Sequence, residues 1–244
     1  MTKKIIEVKN VWKTYKMGKN KVHALRGINL EVKKGEFLAI LGPSGSGKST
    51  CMNMVGCLDT PTKGDVFLSG KNIAKLDESD LAQIRGKKIG FIFQQFNLLP
   101  SLTAQENVML PMMFQGVPLE KRLKQSKKYL ELVGLDKRMD HLPNQLSGGQ
   151  QQRVAIARAL ANEPEMILAD EPTGNLDSKT GGIVVDFLKE LRKKEGTTIV
   201  IVTHDEKLAQ IADRQVYLKD GFIVKNLDED TSKYLEEETK WKEK

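Results

Sequence analysis

The sequence predicts an α/β fold: a mostly parallel sheet core, an antiparallel β subdomain and an inserted α-helical subdomain. Three observations carry the prediction. A strand-length apolar run, Phe37-Leu38-Ala39-Ile40-Leu41, ends in the glycine-rich turn Gly42-Pro43-Ser44-Gly45-Ser46-Gly47, and a helix start follows. Two buried-type strands, 166–169 and 197–202, are separated by a helical pattern over 180–195. Between these strand-bearing parts, residues 101–162 read as helix almost throughout.

In chain order, residues 5–11 form a first strand on Ile5, Ile6, Val8 and Val11, and Tyr15 follows in a Lys/Gly-rich turn. Residues 24–32 form a second on Leu25, Ile28, Leu30 and Val32, and Lys33-Lys34-Gly35-Glu36 turns into the strand before the glycine-rich loop. A helix spans 47–55, Asp59-Thr60-Pro61-Thr62-Lys63-Gly64 breaks the chain, and 65–68 is again a strand. Helix over 76–85 and a short strand over 89–93 lead to Gln94-Gln95. In the helical stretch Thr103 and Glu106 make a capping box, and 119–133 is amphipathic with a basic face. Pro111, Gly116, Pro118, Gly134 and Pro143 punctuate it. Residues 216–224 read as a hairpin turning at Asp220-Gly221. The expected organisation is one domain over 1–227, with the helical subdomain at about 95–162, and a charged tail over 228–244. Tyr234, Leu235 and Trp241 are the tail's sizeable apolar residues, which suit either a docked helix or a frayed end.

Composition narrows the class. A chain of 244 residues with 39% hydrophobic and 29% charged residues is long enough to bury a core and reads as globular. No apolar run reaches bilayer-spanning length, and the first residues have no apolar stretch of signal-peptide type, so a cytoplasmic location is expected. Cys51 and Cys57 are read as lying on the helix after the loop; six residues turn it by about 240°, which rules out a bridge. The net charge of +7 is spread over separated lysine pairs without interleaved aromatics, which argues against nucleic acid and suits a solvated face or an anionic lipid surface.

The spacing Gly42-x-x-x-x-Gly47-Lys48-Ser49 between strand and helix is a phosphate-binding loop. Its glycines let the backbone amides curl inward, and the helix dipole points at the same spot. Lys48 would neutralise β/γ-phosphate oxygens and the Ser49 hydroxyl would ligate Mg²⁺. Asp170 and Glu171 directly follow a buried strand, where carboxylates are costly unless they hold a metal or act on substrate. Asp170 suits a Mg²⁺ shell through water, and Glu171 suits polarising an attacking water. Ser147-Gly148-Gly149-Gln150 opens a second helix with small residues, a second anion-binding start. One nucleotide needs one cradle, so this one suggests service to a nucleotide held by another copy of the chain.

Gly42 to Thr50, Gln94, Leu146-Ser147-Gly148-Gly149-Gln150, residues 167–171, Asn175-Leu176-Asp177 and His204 together resemble the ordered motifs of the ATP-binding cassette (ABC) family. The resemblance covers about residues 3–226. Phe93-Gln94-Gln95-Phe96-Asn97-Leu98-Leu99-Pro100, Gly56-Cys57-Leu58-Asp59 and Asn144-Gln145 ahead of the second helix start further resemble the MacB/LolD-type branch. The resemblance implies a P-loop NTPase (RecA-like) core that hydrolyses ATP with Mg²⁺. It implies an ATP-dependent homodimer, an integral membrane permease as partner, and a place on the inner face of the membrane. It assigns nucleotide contacts to Tyr15 (stacking on adenine), Gly42, Ser44, Gly45, Ser46, Gly47, Lys48, Ser49 and Thr50. Ser147, Gly148, Gly149, Gln150 and Asp177 would act across the dimer. Catalysis would fall to Glu171, His204 and Gln94, and metal binding to Ser49, Gln94 and Asp170. Leu98-Leu99-Pro100 and Pro111-Met112-Met113-Phe114 suit either a groove for the permease or subdomain core. A transport ATPase, a membrane mechanotransmitter of the FtsE kind and a nucleic-acid ATPase are the function classes considered. The last resembles tandem cassettes or a cassette split by a coiled coil, neither of which occurs here.

Overall fold

The structure is a computed structural model that describes residues 3–18 and 20–234. In chain order the elements are β1 (Lys4–Met17), β2 (Asn20–Lys33), β3 (Phe37–Leu41), α1 (Lys48–Val55), β4 (Lys63–Leu68), β5 (Lys71–Asn72), α2 (Glu78–Lys88), β6 (Ile89–Ile92) and α3 (Ala104–Phe114). There follow α4 (Leu119–Leu132), α5 (Gly148–Leu160), β7 (Met166–Asp170), α6 (Ser178–Glu195), β8 (Thr198–Thr203), α7 (Glu206–Ala209), β9 (Arg214–Lys219) and β10 (Phe222–Val224). The chain divides into two units: residues up to 33 with 38–76 and 202 onward, and residues 34–37 with 77–201.

In the first unit β2-β1-β4-β5 form an antiparallel sheet. The alternating side chains of β1 set its register: Val8 lies opposite Leu30 on one neighbour and Val66 on the other, and all three are buried. β1 runs well past the predicted 5–11, so Tyr15 lies in a strand opposite Val22 and not in a turn. The extension carries Lys13, Thr14 and Lys16, which a ladder can hold without an apolar alternation to announce it. β9 pairs in parallel with β3 and antiparallel with β10, and all five residues of β3 are buried. The hairpin turn is Asp220-Gly221 as predicted, with both residues at positive φ.

Helix α1 stops at Val55 with Gly56 as its cap, so Cys57 sits beyond it, in a left-handed conformation. Both cysteines are free and buried, and burial pushes the Cys51 thiol up to about 12. The single turn α7, capped by Asp205, is too short for periodicity to reveal. Of the charged tail, Tyr234 packs on Phe222 at 5.2 Å, while Leu235 and Trp241 lie outside the described residues.

In the second unit the strand order is β8-β7-β6, with β6 and β7 parallel and Ile92 opposite Ala169. Both β6 and β7 are largely buried, as parallel strands covered on two faces are. Helix α3 packs on α4 and α5 and begins with the predicted Thr103–Glu106 capping box. Pro111 lies inside α3 and does not end it. The ring removes one amide donor, and buried Val108 and Met112 on either side carry the helix through. Helix α6 starts at Ser178, earlier than predicted, because Asp177 caps it.

Candidate nucleotide-binding site

The loop between β3 and α1 is shaped by what it excludes. A Cβ on Gly42 would stand 2.2 Å from the Leu218 carbonyl oxygen, and one on Gly47 would stand 2.4 Å from that of Ala24. Gly47 also has φ near 101°, which side-chain-bearing residues rarely adopt. Helix α1 has no side-chain cap, so no capping side chain competes for its first amides at the loop. Lys48 Nζ folds back to the Gly42 and Pro43 carbonyls, 2.8 Å from each. The Ser46 hydroxyl is buried and finds no hydrogen-bond partner among the described residues. Ser44, Gly45, Ser49 and Thr50 line a cavity of about 410 Å³ with the Asp220-Gly221 turn. Amides without a side-chain cap, a cationic head, an orphan hydroxyl and the exposed Ser49 fit the phosphates of a nucleotide and one coordination position of Mg²⁺.

Tyr15 is joined to this loop's helix. Its hydroxyl donates to Asp59 Oδ2 at 3.1 Å, Lys13 faces its ring at 5.1 Å, and burial raises its pKa against the opposing pull of Thr50. It does not line the 410 Å³ cavity, which takes Val22, His23 and Arg26 from β2. His204 follows the end of β8 and is exposed, and the buried Thr203 hydroxyl beside it accepts from the Asp205 amide at 3.0 Å.

The other predicted residues belong to the second unit, and several meet there. Glu171 has φ of 44°, a strained backbone for a residue with a side chain, and its carbonyl accepts from the Gly174 amide at 3.0 Å. Gln94 packs over Gly174: a Cβ there would stand 2.9 Å from its Nε2. Asn175 donates to the Gln94 carbonyl at 2.8 Å. The Ser147 hydroxyl accepts from the Gln150 amide, and the Gln150 side chain accepts from the Ser147 amide at 2.8 Å, a complete capping box. Gly148 lies under Phe96 and Leu176. Gly149 is packed so closely that a Cβ would fall 2.1 Å from the Thr180 methyl. Thr180 also donates its hydroxyl to Asp177 Oδ2 at 2.6 Å, and Asp177 accepts from the Lys179 and Thr180 amides. That hydroxyl first, and then the amides, hold the Asp177 carboxyl below the usual aspartate range.

Sequence reasoning missed three contributors. Thr180 joins Asp177 to Gly149. Arg158, half-buried, donates to the Phe96 carbonyl at 2.8 Å and fixes the segment after Gln94. The Asp220-Gly221 turn was legible as a turn, with no residue type that announces a ligand.

A phosphate loop at the end of a buried strand, in an α/β chain, defines the class as a P-loop NTPase. The chain belongs to the ABC transporter family, whose model matches residues 25–174. It is 54% identical over 221 residues to an uncharacterized ABC transporter ATP-binding protein of Thermotoga maritima, spanning 91% of this chain and 94% of that one. Over 220 residues it is 51% identical to the macrolide export ATP-binding/permease protein MacB of Aggregatibacter actinomycetemcomitans, covering 90% of this chain but only 34% of MacB. Among solved structures, a dimeric ATP-binding cassette, MJ0796, in a post-hydrolysis state bound to ADP and Pi, is similar at a TM-score of 0.83 and 53% identity. That match covers 89% of this chain and 96% of the other. Among the described residues no helix is long and apolar enough to cross a membrane.

Proposed function

We propose that this chain is the ATP-hydrolysing cassette of a transporter of the MacB/LolD type, working as a pair of copies with a membrane permease on the inner face of the membrane. The observation that carries the reading is the phosphate-loop cavity, with its glycine-shaped backbone, folded-back Lys48 and orphan Ser46 hydroxyl. Mg²⁺ supplies charge neutralisation at the phosphates when bound. Ser49 and Asp170 would hold it, with Gln94 reaching both metal and water. Glu171 would polarise the water and His204 would contact the γ-phosphate. Ser147 and Gly149 of one copy would face the nucleotide on the other, excluding water and adding donors. The MacB relatives join ATP-binding and permease in their names, which supports a permease partner. The exposed apolar side chains of Leu99, Met113 and Phe114, beside a buried Met112, support docking of that partner in the second unit.

The test is Glu171→Gln, which should slow hydrolysis while leaving ATP binding intact. With saturating ATP and Mg²⁺ it should run as a dimer on a sizing column. A strictly monomeric profile counts against the paired mechanism.

A further inference from the structure

The chain after β10 does not leave the first unit. It turns back and is held by contacts to β9 and β10 and by its own hydrogen bonds. Lys219 Nζ donates to the Leu227 and Glu229 carbonyls at 2.9 and 3.0 Å. The Glu229 carboxylate accepts from Lys233 Nζ at 2.6 Å, the Lys225 amide at 2.7 Å and the Tyr234 hydroxyl at 2.9 Å. Those partners, the Lys233 ammonium first, pull its pKa down to about 2. The Tyr234 ring stacks on Phe222, and the Arg26 guanidinium, which lines the phosphate-loop cavity, stands 5.7 Å from the same Phe222 ring.

A further contact reaches the loop. Thr231 is buried, 6% exposed, and its hydroxyl donates to Asp220 Oδ2 at 2.8 Å. Asp220 begins the tight turn whose next residue, Gly221, donates its amide to the Ser46 carbonyl at 3.0 Å. The Gly221 carbonyl in turn accepts from the Arg26 amide at 3.0 Å. Both turn residues have positive φ, the backbone that an Asp-Gly pair favours in a two-residue hairpin turn.

We propose that the segment over 225–234 braces the phosphate loop through the relay Thr231–Asp220–Gly221–Ser46, which makes Thr231 a positioning residue for nucleotide binding. A burial without function would need no hydroxyl at 231; valine would fill the same volume. The relay spends that hydroxyl on the residue next to the loop's own hydrogen-bond donor. The inference rests on the ATPase reading above.

The experiment uses the full chain with Thr231→Val and Thr231→Ser, titrated with ATP and MgCl₂ by calorimetry and assayed for KM and kcat. Thr231→Val should weaken ATP binding and raise KM by about three- to tenfold, within the range of couplings carried through packed networks. Its kcat at saturating ATP should stay within about twofold, and Thr231→Ser should restore affinity. Unchanged Kd and KM in a folded Thr231→Val overturn the relay, whatever the change in melting temperature. If Thr231→Val does not fold, amide exchange of the wild type decides. By reciprocity, saturating ATP must slow exchange over 225–234 as well as at Gly221, and protection at Gly221 alone overturns the brace. A wild type that binds no ATP sinks the ATPase reading and the relay with it, so the two failures are distinct.

Discussion

Helices α1 and α5 both begin among glycines, and both must satisfy first-turn amides that have no partner within the helix. Before α5 the chain answers with its own side chains. Ser147 and Gln150 trade hydrogen bonds in a closed box, and Gly149 is there because Thr180 leaves no room for a Cβ. Before α1 the chain gives no such answer. The capping position is Gly47, and among the described residues no side chain caps the amides and the buried Ser46 hydroxyl finds no partner. A self-satisfied start is stable alone and offers a ligand its outer edge; an unsatisfied one is incomplete without an anion. The same composition of Ser and Gly thus marks a finished helix end in one case and a binding cradle in the other.

The comparison breaks first at Gly47. Gly47→Ala forces a Cβ onto the Ala24 carbonyl and strains a φ near 101°. The expected outcome is loss of ATP affinity by about a hundredfold or more, equivalent to about 2.7 kcal/mol, read by calorimetry. Near-normal affinity would mean that the amide cradle does not depend on this backbone.

At α5 the matching change separates packing from chemistry. Gly149→Ala drives a methyl into Thr180 and should cost about 1–3 kcal/mol of stability, the usual penalty of overpacking. Thr180→Ser removes the clashing methyl and keeps the hydroxyl on Asp177. The double variant Gly149→Ala/Thr180→Ser should therefore melt close to wild type. If its ATPase activity also returns, Gly149 serves packing alone. Activity that stays low in a stable double variant is the outcome expected if a phosphate must approach the Gly149 amide.

Ser147→Ala is smaller. Loss of the cap should cost about 1 kcal/mol, or about 2–4 °C in melting temperature for a chain of this size. A fall in ATPase far beyond that loss of folded protein, measured at a temperature where both remain folded, assigns the hydroxyl a role outside its own helix.

How these sites could be read from sequence follows the same divide. The phosphate loop was legible because its chemistry forces residue types at fixed spacing: only glycine fits at Gly42 and Gly47, and only a long cation reaches from Lys48. The strands beside it were legible from buried runs such as β3 and β7. The polar half of β1 was not, because a ladder of lysines and threonines carries no period-2 signal, and its Lys/Gly-rich composition reads as a turn around Tyr15. Nor was the role of Thr180 legible, since a threonine in the first turn of a helix is ordinary until its methyl is seen against Gly149. Asp177 is the mixed case: the resemblance assigned it to communication across a dimer, whereas the structure gives it a local duty as the cap of α6.

That dual assignment sets the subtlest prediction. The Asp177 carboxylate accepts from the Thr180 hydroxyl and two amides, which favour its ionised form and lower its pKa from 3.8. A group with a depressed folded pKa contributes stability that is present above the unfolded value and lost as pH falls through the folded one. Asp177→Asn keeps an acceptor for the amides, so it should melt slightly below wild type at pH 7. The gap should close as pH drops below 3.8, and a gap independent of pH would show that the carboxylate is not held down by its cap. Activity at pH 7 then separates the two duties: full ATPase in a variant that melts normally leaves Asp177 as a cap only. Lost ATPase with intact ATP binding and normal melting is the result expected if its carboxylate also answers to the second copy, because the helix start it caps would be unharmed.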